Sequence, residues 1–460
     1  MKEKIKILKE YKPYLNISSE TISSENIIIE KTKQGPPTLK YYKGKNAIYL
    51  HSRYDPLKEA GNIVNQFKAN QDDIIVILGT GLGYHIKKIR ERFTDNYLVV
   101  CEYGKDIFLS YIRETDTDLL KDDQIIYFLS SFHYEDIAEA LRYLIFIKLQ
   151  KEVKVRIFSH TPSFHIYPEY RDLETDLLKE IGRIYSDYLT VREMDDLWKR
   201  NVEKNKKNYS NSQPLKKLHS AFKGKPLSIV CAGPTLERDI RFLKKNKTII
   251  LSVDTACRFL IKNKIYPDFV ISLDAKYENI YDFKYLDFKN TNLIYDLVAF
   301  PEIPGLFKNK YVTYTLKLFK DLEGRHIPYR SEPVREFIKQ YGDMGGLQSG
   351  GSVATNAFDL ALFTEADPIY FLGLDLVHVD YRSHCRGTLS EIYFNQRTNR
   401  FYNLATLEFY HIMGRKISSS LKQGHIITEE FMMKKYKSWF IQGFQLVKNK
   451  VKVKVLSEFF

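Results

Sequence analysis

The feature that most constrains the fold of this chain is a short apolar strand pattern that ends in a tight turn and leads into a helix. The run Ser228-Ile229-Val230 is followed by Gly233-Pro234-Thr235, after which Leu236, Ile240 and Leu243 recur at helical spacing. Proline fits the first turn of a helix because that turn leaves its N–H groups unpaired in any case. Such a turn directs free backbone N–H groups and the positive end of the helix dipole at one point, which suits a phosphate group.

The same alternation of strand and helix patterns continues along the chain. A similar unit comes earlier, with strands predicted over 74–78 and 98–102 around a glycine-rich turn and a helix. Such alternation is typical of doubly wound parallel sheets. We therefore predict an α/β fold with two Rossmann-like doubly wound parallel-sheet units and a helical C-terminal appendage. In the second unit the strand patterns cover residues 248–253, 268–273, 292–298, 311–316 and 368–376, and helical patterns cover 255–264 and 352–363.

Length and local composition divide the chain into four predicted regions, because 460 residues exceed what one hydrophobic core usually organises. We predict an N-terminal domain with a Rossmann-like unit over 1–170, a helical connector over 171–224, a central catalytic domain over 225–388 and a mainly helical region over 389–460. In the last region we expect an edge strand at 451–455. We also expect one apolar helix face there to pack onto the rest of the protein, formed by Met432, Tyr436, Trp439, Phe440 and Phe444.

Composition excludes several classes of function. The formal net charge of +14 would suit a nucleic-acid partner, but 57 acidic residues are interleaved with the basic ones and no arginine-rich block occurs, so we expect none. No apolar run is long enough for a transmembrane segment, and the charged N-terminus is not followed by an apolar signal segment. The four cysteines lack C-x-x-C spacing, which argues against a disulfide framework or a cysteine zinc site and favours a cytoplasmic protein.

Polar residues at the predicted strand ends indicate a nucleotide site. Asp254 and Asp274 each end a strand, at the sheet edge where such folds bind ligands. The two acids would hold a divalent cation on a diphosphate, accept hydrogen bonds from ribose or base, or, in the case of Asp254, cap the next helix. The turn Gly350-Gly351-Ser352 opens another helix and, like Gly233-Pro234-Thr235, lets an anion approach the backbone. No cofactor is required by this pattern, and the cation stays open.

A second polar segment follows the strand predicted to end near residue 376. It contains Asp375, Tyr381 and His384 within about a dozen residues of the strand end, where active-site loops lie. A histidine there would act as a base on a hydroxyl, and tyrosine would offset charge on a departing phosphate. We assign His384, Tyr381 and Asp375 as candidate catalytic residues, with His378 and His411 as rival bases. No G-x-S-x-G elbow is present, so a serine nucleophile is not indicated.

Taken in order, these motifs resemble those of the motility accessory factors, bacterial cytoplasmic enzymes that glycosylate flagellin. The resemblance covers roughly residues 70 to 390. It rests on Gly79-Thr80-Gly81-Leu82-Gly83-Tyr84-His85, Ala232-Gly233-Pro234-Thr235-Leu236, Ser252-Val253-Asp254, Ser272-Leu273-Asp274, Gly350-Gly351-Ser352-Val353-Ala354 and Gly373-Leu374-Asp375-Leu376.

The resemblance implies a central domain similar to bacterial sialyltransferases and an inverting glycosyltransferase. The donor would be a CMP-activated nonulosonic acid of the pseudaminic or legionaminic type, and the acceptor serine or threonine of flagellin. By motif position, the substrate-binding residues would be Gly233, Pro234, Thr235, Asp254, Asp274, Gly350, Gly351 and Ser352.

Three other functions remain open at the level of sequence. The central domain also resembles 6-hydroxymethylpterin diphosphokinase, which would use ATP and magnesium. The second alternative is an S-adenosylmethionine methyltransferase. It rests on the turn Gly79-Thr80-Gly81-Leu82-Gly83, which is followed by a strand that ends at Glu102, a pattern typical of sheets that bind ribose hydroxyls. The last alternative is a flagellin-binding chaperone without catalytic activity.

Overall fold

The chain forms two compact units in a computed structural model. Unit 1 comprises Met1–Val191 with Phe319–Ile327, and unit 2 comprises Arg192–Leu318 with Pro328–Phe460. The finer boundaries predicted at residues 170, 224 and 388 stay predictions. The structure describes residues 1–15, 17, 26–130, 132–288, 290–414 and 417–460.

Unit 1 contains a parallel sheet and a small antiparallel sheet. Its helices are α1 (Lys2–Tyr11), α2 (Pro56–Gln66), α3 (Tyr84–Arg92), α4 (Lys105–Glu114), α5 (Thr117–Lys121), α6 (Tyr134–Arg142), a π-helical turn (Tyr143–Leu149), α7 (Thr161–Ile166) and the start of α8 (Glu169–Tyr209). Its strands are β1 (Ile27–Glu30), β2 (Thr38–Lys43), β3 (Asn46–Tyr49), β4 (Ile74–Leu78), β5 (Leu98–Glu102), β6 (Ile125–Leu129) and β7 (Val155–Ser159).

The parallel sheet of unit 1 has the strand order β6-β5-β4-β7. All residues of β4 and β5 are buried, because helices cover both faces of a parallel sheet and leave no side for water. Strands β1, β2 and β3 form an antiparallel meander. The first predicted α/β unit is therefore confirmed.

Unit 2 is built around a larger sheet. Its helices after α8 are α9 (Leu236–Lys245), α10 (Asp254–Lys262), α11 (Glu332–Tyr341), α12 (Val353–Phe363), α13 (Leu389–Asn395), α14 (Leu404–Met413) and α15 (Phe431–Val447), with 3₁₀ turns at Leu215–Leu218, Tyr277–Asp282 and Ile303–Leu306. Its strands are β8 (Gln213–Pro214), β9 (Leu227–Val230), β10 (Ile249–Val253), β11 (Phe269–Ser272), β12 (Asn292–Asp296), β13 (Asn309–Lys320), β14 (His326–Tyr329), β15 (Gly346–Gln348), β16 (Ile369–Leu372), β17 (His378–Val379), β18 (Ile417–Lys422), β19 (His425–Glu430) and β20 (Val453–Val455).

The main sheet of unit 2 has the order β14-β13-β12-β11-β10-β9-β16-β20, of which the tip of the β13–β14 hairpin, Phe319–Ile327, is assigned to unit 1. Strands β9 to β13 pair in parallel in chain order, and β16 pairs in parallel on the free side of β9. Strand β16 is shorter than the predicted 368–376, because Gly373 and Leu376 have left-handed φ angles of 62° and 52°. The second predicted α/β unit, with its doubly wound parallel sheet, is confirmed.

The C-terminal region is part of the same unit. Strand β20 adds to the edge of the sheet beside β16, as predicted for residues 451–455. Phe440 is completely buried, and its ring lies 5.5 Å from that of Phe371 and 6.2 Å from that of Phe358. The predicted apolar face of α15 therefore packs onto the sheet domain through Trp439, Phe440 and Phe444. The prediction is wrong for Met432, which is exposed because it lies in the first turn of the helix. Among the described helices, none has both the length and the apolar composition that a bilayer span needs.

Helix α8 corresponds to the predicted connector, but its asparagines have a role that charge patterning does not reveal. The buried amides of Asn201 and Asn205 donate to four backbone carbonyls of the segments that follow β11 and β12. Asn208 donates to the carbonyl of Pro301. The asparagine spacing of four and three residues keeps these amides on one helix face, where they satisfy loop backbone that would otherwise be buried without partners.

Candidate functional site

The main sheet of unit 2 has a topological switch point between β9 and β16. From β9 the chain proceeds through β10, β11, β12 and β13 on one side and later returns to β16 on the other. In open α/β sheets, ligands bind outside the carboxyl ends of the strands at such a point. The turn after β9 contains Gly233-Pro234-Thr235, and the turn after β16 contains Gly373-Leu374-Asp375.

The two turns are joined directly. The N–H of Gly233 donates to the carbonyl of Gly373 at 2.9 Å. A Cβ atom on Gly233 would lie 2.5 Å from a carboxylate oxygen of Asp375 and 2.5 Å from the Gly373 carbonyl oxygen. Glycine is therefore required at position 233 because the protein itself approaches it this closely.

Asp375 is saturated by hydrogen bonds from its own chain. Its Oδ2 accepts from the N–H of Thr235 at 2.9 Å, and its Oδ1 accepts from the hydroxyls of Thr235 and Ser457, the latter at 2.6 Å. Burial raises the pKa of Asp375, although these hydrogen bonds oppose the shift. The carboxylate thus fastens the two turns together, and its predicted catalytic role stays a prediction.

The loop after Asp375 has an unusual backbone. Leu376, Asp380 and Tyr381 all have φ between 49° and 61°, a region that side-chain-bearing residues rarely adopt. Further along, the N–H of Cys385 donates to the carbonyl of Ala232 at 2.8 Å, which brings the loop back to the end of β9. Such strain is often found at functional sites, where the surrounding structure holds it in place.

His384 lies on this loop next to a small cavity of about 10 Å³ that is also lined by Tyr381, Glu408 and His411. Its Nδ1 atom is buried and has no hydrogen-bond partner within the described part of the chain. Burial, together with the smaller effects of the neighbouring His378 and His411, lowers the pKa of His384 to about 4. No sequence pattern predicts this shift, because residues of other elements, among them Glu408 and His411, surround the imidazole.

The other polar groups of the loop are engaged with protein partners. His378 is buried, its Nδ1 lies 3.0 Å from the hydroxyl of Ser383, and its Nε2 lies 3.5 Å from Glu430. The ring of Tyr381 packs edge-on against Phe409 at 4.8 Å. Of the predicted bases, His384 is thus the one that combines a buried, unpaired ring nitrogen with an adjacent cavity.

Asp254 and Asp274 form a second group, at the ends of β10 and β11. Asp254 is buried and accepts hydrogen bonds from the N–H of Thr255 at 2.9 Å and from the amide of Asn279 at 3.2 Å. Burial raises its pKa to about 6, and the negative charge of Asp274 adds to the shift. Asp274 is exposed and accepts from the N–H of Lys276. The two carboxylates are therefore electrostatic neighbours, and one of them is open to a ligand.

This group contains a third acid that no sequence pattern indicates. Asp282 is buried, its Oδ1 has no hydrogen-bond partner in the described structure, and burial raises its pKa to about 7. The charges of Asp254 and Asp274 contribute to that shift, whereas Arg258 opposes it. No local signal marks Asp282, because it lies in a 3₁₀ turn rather than at a strand end.

The turn at Gly350-Gly351-Ser352 precedes α12. A Cβ on Gly350 would lie 2.6 Å from the indole ring of Trp439, and one on Gly351 would lie 2.8 Å from the ring of Tyr436. The hydroxyl of Ser352 is buried at the N-terminus of the helix and has no partner among the described residues. This hydroxyl and the N–H groups at the start of the helix can hydrogen bond to an anion, although the N–H of Thr355 already donates to the carbonyl of Ser352.

A larger open cleft of about 610 Å³ lies elsewhere in unit 2, between α8 and α11. It is lined by lysines and glutamates, among them Lys199, Lys206, Glu203 and Glu332, and contains none of the predicted site residues. The size of the cleft does not by itself indicate a ligand, and its lysine and glutamate side chains largely balance one another in charge.

The glycine-rich turn of unit 1 is occupied by the protein itself. Glu102 is fully buried and accepts from the N–H and hydroxyl of Thr80, at 2.7 and 2.9 Å, and from the N–H of Gly104 at 2.9 Å. A Cβ on Gly83 would lie 2.4 Å from the ring of Tyr111. Because the acid and the turn are both engaged internally, the expectation that Glu102 holds ribose hydroxyls finds no support in this geometry.

Comparison with known proteins identifies relatives of both the central region and the whole chain. Residues 199–380 match the family model described as 6-hydroxymethylpterin diphosphokinase MptE-like. A protein of Treponema pallidum (strain Nichols), described as uncharacterized, is 23% identical over 200 residues, which are 42% of this chain and 66% of that protein. The solved structure of the MAf glycosyltransferase from Magnetospirillum magneticum AMB-1 is similar at a TM-score of 0.64 and 16% identity, over 99% of this chain and 74% of that one.

These similarities confirm the resemblance drawn from the sequence motifs and the fold that it implied. The structural match extends over nearly the whole chain, so the N-terminal unit and the C-terminal region belong to the shared fold as well as the central sheet. At 16% identity the likeness establishes the fold and leaves the chemistry to the residues of the site.

Proposed function

We propose that unit 2 is a glycosyltransferase domain. It moves a nonulosonic acid of the pseudaminic or legionaminic type from a CMP-activated donor to a serine or threonine hydroxyl of flagellin. The likeness to a MAf glycosyltransferase supports the reaction class, and the sugar, nucleotide and acceptor follow from the sequence resemblance.

The observation that carries the proposal is the Nδ1 of His384, which has no partner among the described residues and lies beside a small cavity on the loop that follows β16. A general base needs a free lone pair within reach of the hydroxyl that it deprotonates. With a pKa of about 4 His384 is neutral at pH 7 and is a weak base. An anionic donor bound nearby would raise that pKa, because a negative charge favours the protonated imidazole. The base would therefore be strengthened when substrate is present.

The remaining site residues have proposed binding roles. The hydroxyl of Ser352 and the first turn of α12 bind donor phosphate, and the exposed carboxylate of Asp274 accepts hydrogen bonds from ribose or base. Asp254, which Asn279 orients, lies at the buried side of the same site and adds a second carboxylate next to Asp274. Tyr381 lines the same cavity as His384 and offsets charge on the leaving phosphate. Gly233, Pro234, Thr235, Gly350 and Gly351 shape the walls of the donor site.

The experiment is a transfer assay with purified chain, a CMP-activated nonulosonic acid and flagellin, read by intact mass and CMP release. We expect His384→Ala to fold and bind CMP but to lose transfer by roughly 100-fold or more. His326→Ala, at an exposed histidine, is the matched control and should keep full activity. A His384→Ala enzyme that retains more than a tenth of the wild-type rate would reassign the base.

The proposed reaction is a single displacement that inverts the anomeric configuration. It uses a base for the acceptor hydroxyl and no covalent enzyme intermediate. The anomeric form of the product, determined by NMR, checks this directly. Trapping a glycosylated enzyme with a slow donor analogue would contradict it.

The match to the diphosphokinase family model supports a second candidate, ATP-dependent diphosphate transfer to a pterin alcohol. The two reactions differ in nucleotide and in product, CMP against AMP. Thermal unfolding with CMP and with ATP plus magnesium separates them, because a ligand that binds the native state raises the melting temperature. Stabilisation by ATP–magnesium alone, with AMP release in the presence of a hydroxymethylpterin, would favour the second candidate.

A further inference from the structure

Unit 1 buries three histidines against one another, and the proposed function gives them no role. His51 follows β3, His85 lies in the first turn of α3, and His160 follows β7. Each is at most 5% exposed. One potential ligand nitrogen from each ring lies within 4.8 Å of the other two. Three segments that are distant in sequence thus place three imidazoles at one point.

Hydrogen bonds to backbone carbonyls fix the orientation of two of these rings. The Nε2 atom of His85 lies 3.0 Å from the carbonyl of Gly79 and so carries the proton. Its Nδ1 is consequently a lone pair, which is buried and has no partner in the described structure. His160 is hydrogen bonded to the backbone of Leu50. A backbone carbonyl on one ring nitrogen is the usual way in which proteins orient a histidine whose other nitrogen binds a metal.

The remaining lone pairs are held by groups that a metal would displace. The N–H of Leu82 donates to Nε2 of His51 at 2.7 Å, and the hydroxyl of Ser163 lies 2.7 Å from Nδ1 of His160. All three rings are buried, and imidazole binds metal ions in its neutral form.

The glycine-rich turn is shaped around this cluster. A Cβ on Gly81 would lie 2.5 Å from Nε2 of His51 and 3.2 Å from Cε1 of His160. A Cβ on Gly79 would lie 2.3 Å from the hydroxyl oxygen of Ser163. Both glycines also have positive φ. The motif that resembles a nucleotide-binding turn therefore provides space for histidines.

We propose that His51, His85 and His160 bind one Zn²⁺ ion, which ties the segments after β3 and β7 to the start of α3. Three imidazoles without a carboxylate suit zinc and related transition metals and disfavour magnesium and calcium. Zinc lies about 2.0–2.1 Å from histidine nitrogen, so tetrahedral ligands are about 3.3 Å apart. The present separations of up to 4.8 Å are wider than that, and the rings of His85 and His160 are stacked 4.5 Å apart. Zinc binding therefore requires these rings to turn and the hydrogen bonds from Leu82 and Ser163 to break. Because the cluster is buried, the ion has a structural role.

The test uses the full chain without a histidine tag. After purification in zinc-containing buffer and extensive dialysis, we expect about one zinc per chain by mass spectrometry of metals. Replacement of zinc with Co²⁺ should give the visible absorption of a tetrahedral nitrogen site. His85→Ala should lose at least tenfold in zinc affinity, or about 1.4 kcal/mol. His165→Ala, at an exposed histidine of the same unit, should behave as wild type.

A second variant guards against misfolding. Ser163→Ala keeps all three imidazoles and releases the lone pair of His160, so it should bind zinc at least as tightly as the wild type. The proposal is overturned if the wild-type chain retains no zinc, gives no Co²⁺ spectrum and shows no rise in melting temperature with added zinc. It is also overturned if a folded His85→Ala chain binds zinc as tightly as the wild type.

Discussion

Replacing Asp375 tests whether this residue acts through its charge or through its hydrogen bonds. The carboxylate is buried and accepts from one backbone N–H and two hydroxyls, those of Thr235 and Ser457. In Asp375→Asn, the amide oxygen can keep the N–H of Thr235 while the amide NH₂ donates to both hydroxyls, which rotate to accept. In Asp375→Ala, nothing accepts from that N–H.

The hydrogen bonds of Asp375 predict different losses in the free energy of unfolding for the two variants. A buried N–H left unpaired costs about 1–3 kcal/mol, and hydrogen bonds to a charged group contribute about 1.5–3 kcal/mol each. The raised pKa of Asp375 shows that its buried negative charge is itself unfavourable. Both variants remove that charge, which offsets part of this loss. We expect Asp375→Ala to reduce the free energy of unfolding by about 3 kcal/mol and Asp375→Asn to change it by less than about 1 kcal/mol.

Urea unfolding followed by tryptophan fluorescence measures this directly. The chain has two tryptophans, Trp198 and Trp439, and both belong to unit 2. With a urea dependence of about 3 kcal/mol/M, the midpoint of Asp375→Ala should fall by about 1 M and that of Asp375→Asn by less than about 0.3 M. Equal destabilisation by both variants would refute the hydrogen-bond argument. A stable Asp375→Asn chain whose transfer rate falls more than 100-fold would instead assign Asp375 the catalytic role predicted from the sequence.

Three further predictions concern single side chains. The pKa of Asp282 is raised from 3.8 to about 7, so the stability that this group contributes is complete below pH 3.8 and is lost as the pH rises through 7. In urea titrations, Asp282→Asn should therefore stabilise unit 2 by roughly 2–4 kcal/mol near pH 8 and hardly at all near pH 4. Gly350→Ala should cost about 1–3 kcal/mol and alter tryptophan fluorescence, because its Cβ would meet Trp439, whereas Gly305→Ala, which meets no atom within 4 Å, should be near neutral. Glu102→Gln should destabilise unit 1 by about 2 kcal/mol in thermal melts followed by circular dichroism, because backbone N–H groups face both carboxylate oxygens and cannot accept from an amide.

The sequence predicted the sheets well where strands are buried on both faces. The runs at 74–78 and 98–102 coincide with β4 and β5, because a strand covered by helices is continuously apolar and bounded by turn residues. The hairpin of β18 and β19 was not predicted. Strand β18 has the sequence ISSSLK and is mostly exposed, so no apolar alternation marks it in a region that is otherwise helical.

The sequence could locate the turns but not what fills them. At Gly233 and at Gly81 the same signal, a strand followed by glycine, predicts space for a ligand. The structure places protein groups in both spaces: the carboxylate of Asp375 beside Gly233, and the imidazole of His51 beside Gly81. Asp375 lies 142 positions from Gly233 in the sequence and His51 lies 30 positions before Gly81. Only the folded topology brings these pairs together, and no local pattern distinguishes a glycine that admits a phosphate from one that admits a distant side chain. The distinction matters for function, because it moves the expected ligand contacts to groups whose polar atoms have no partner in the described part of the chain. These are His384 and Ser352 in unit 2 and His85 in unit 1.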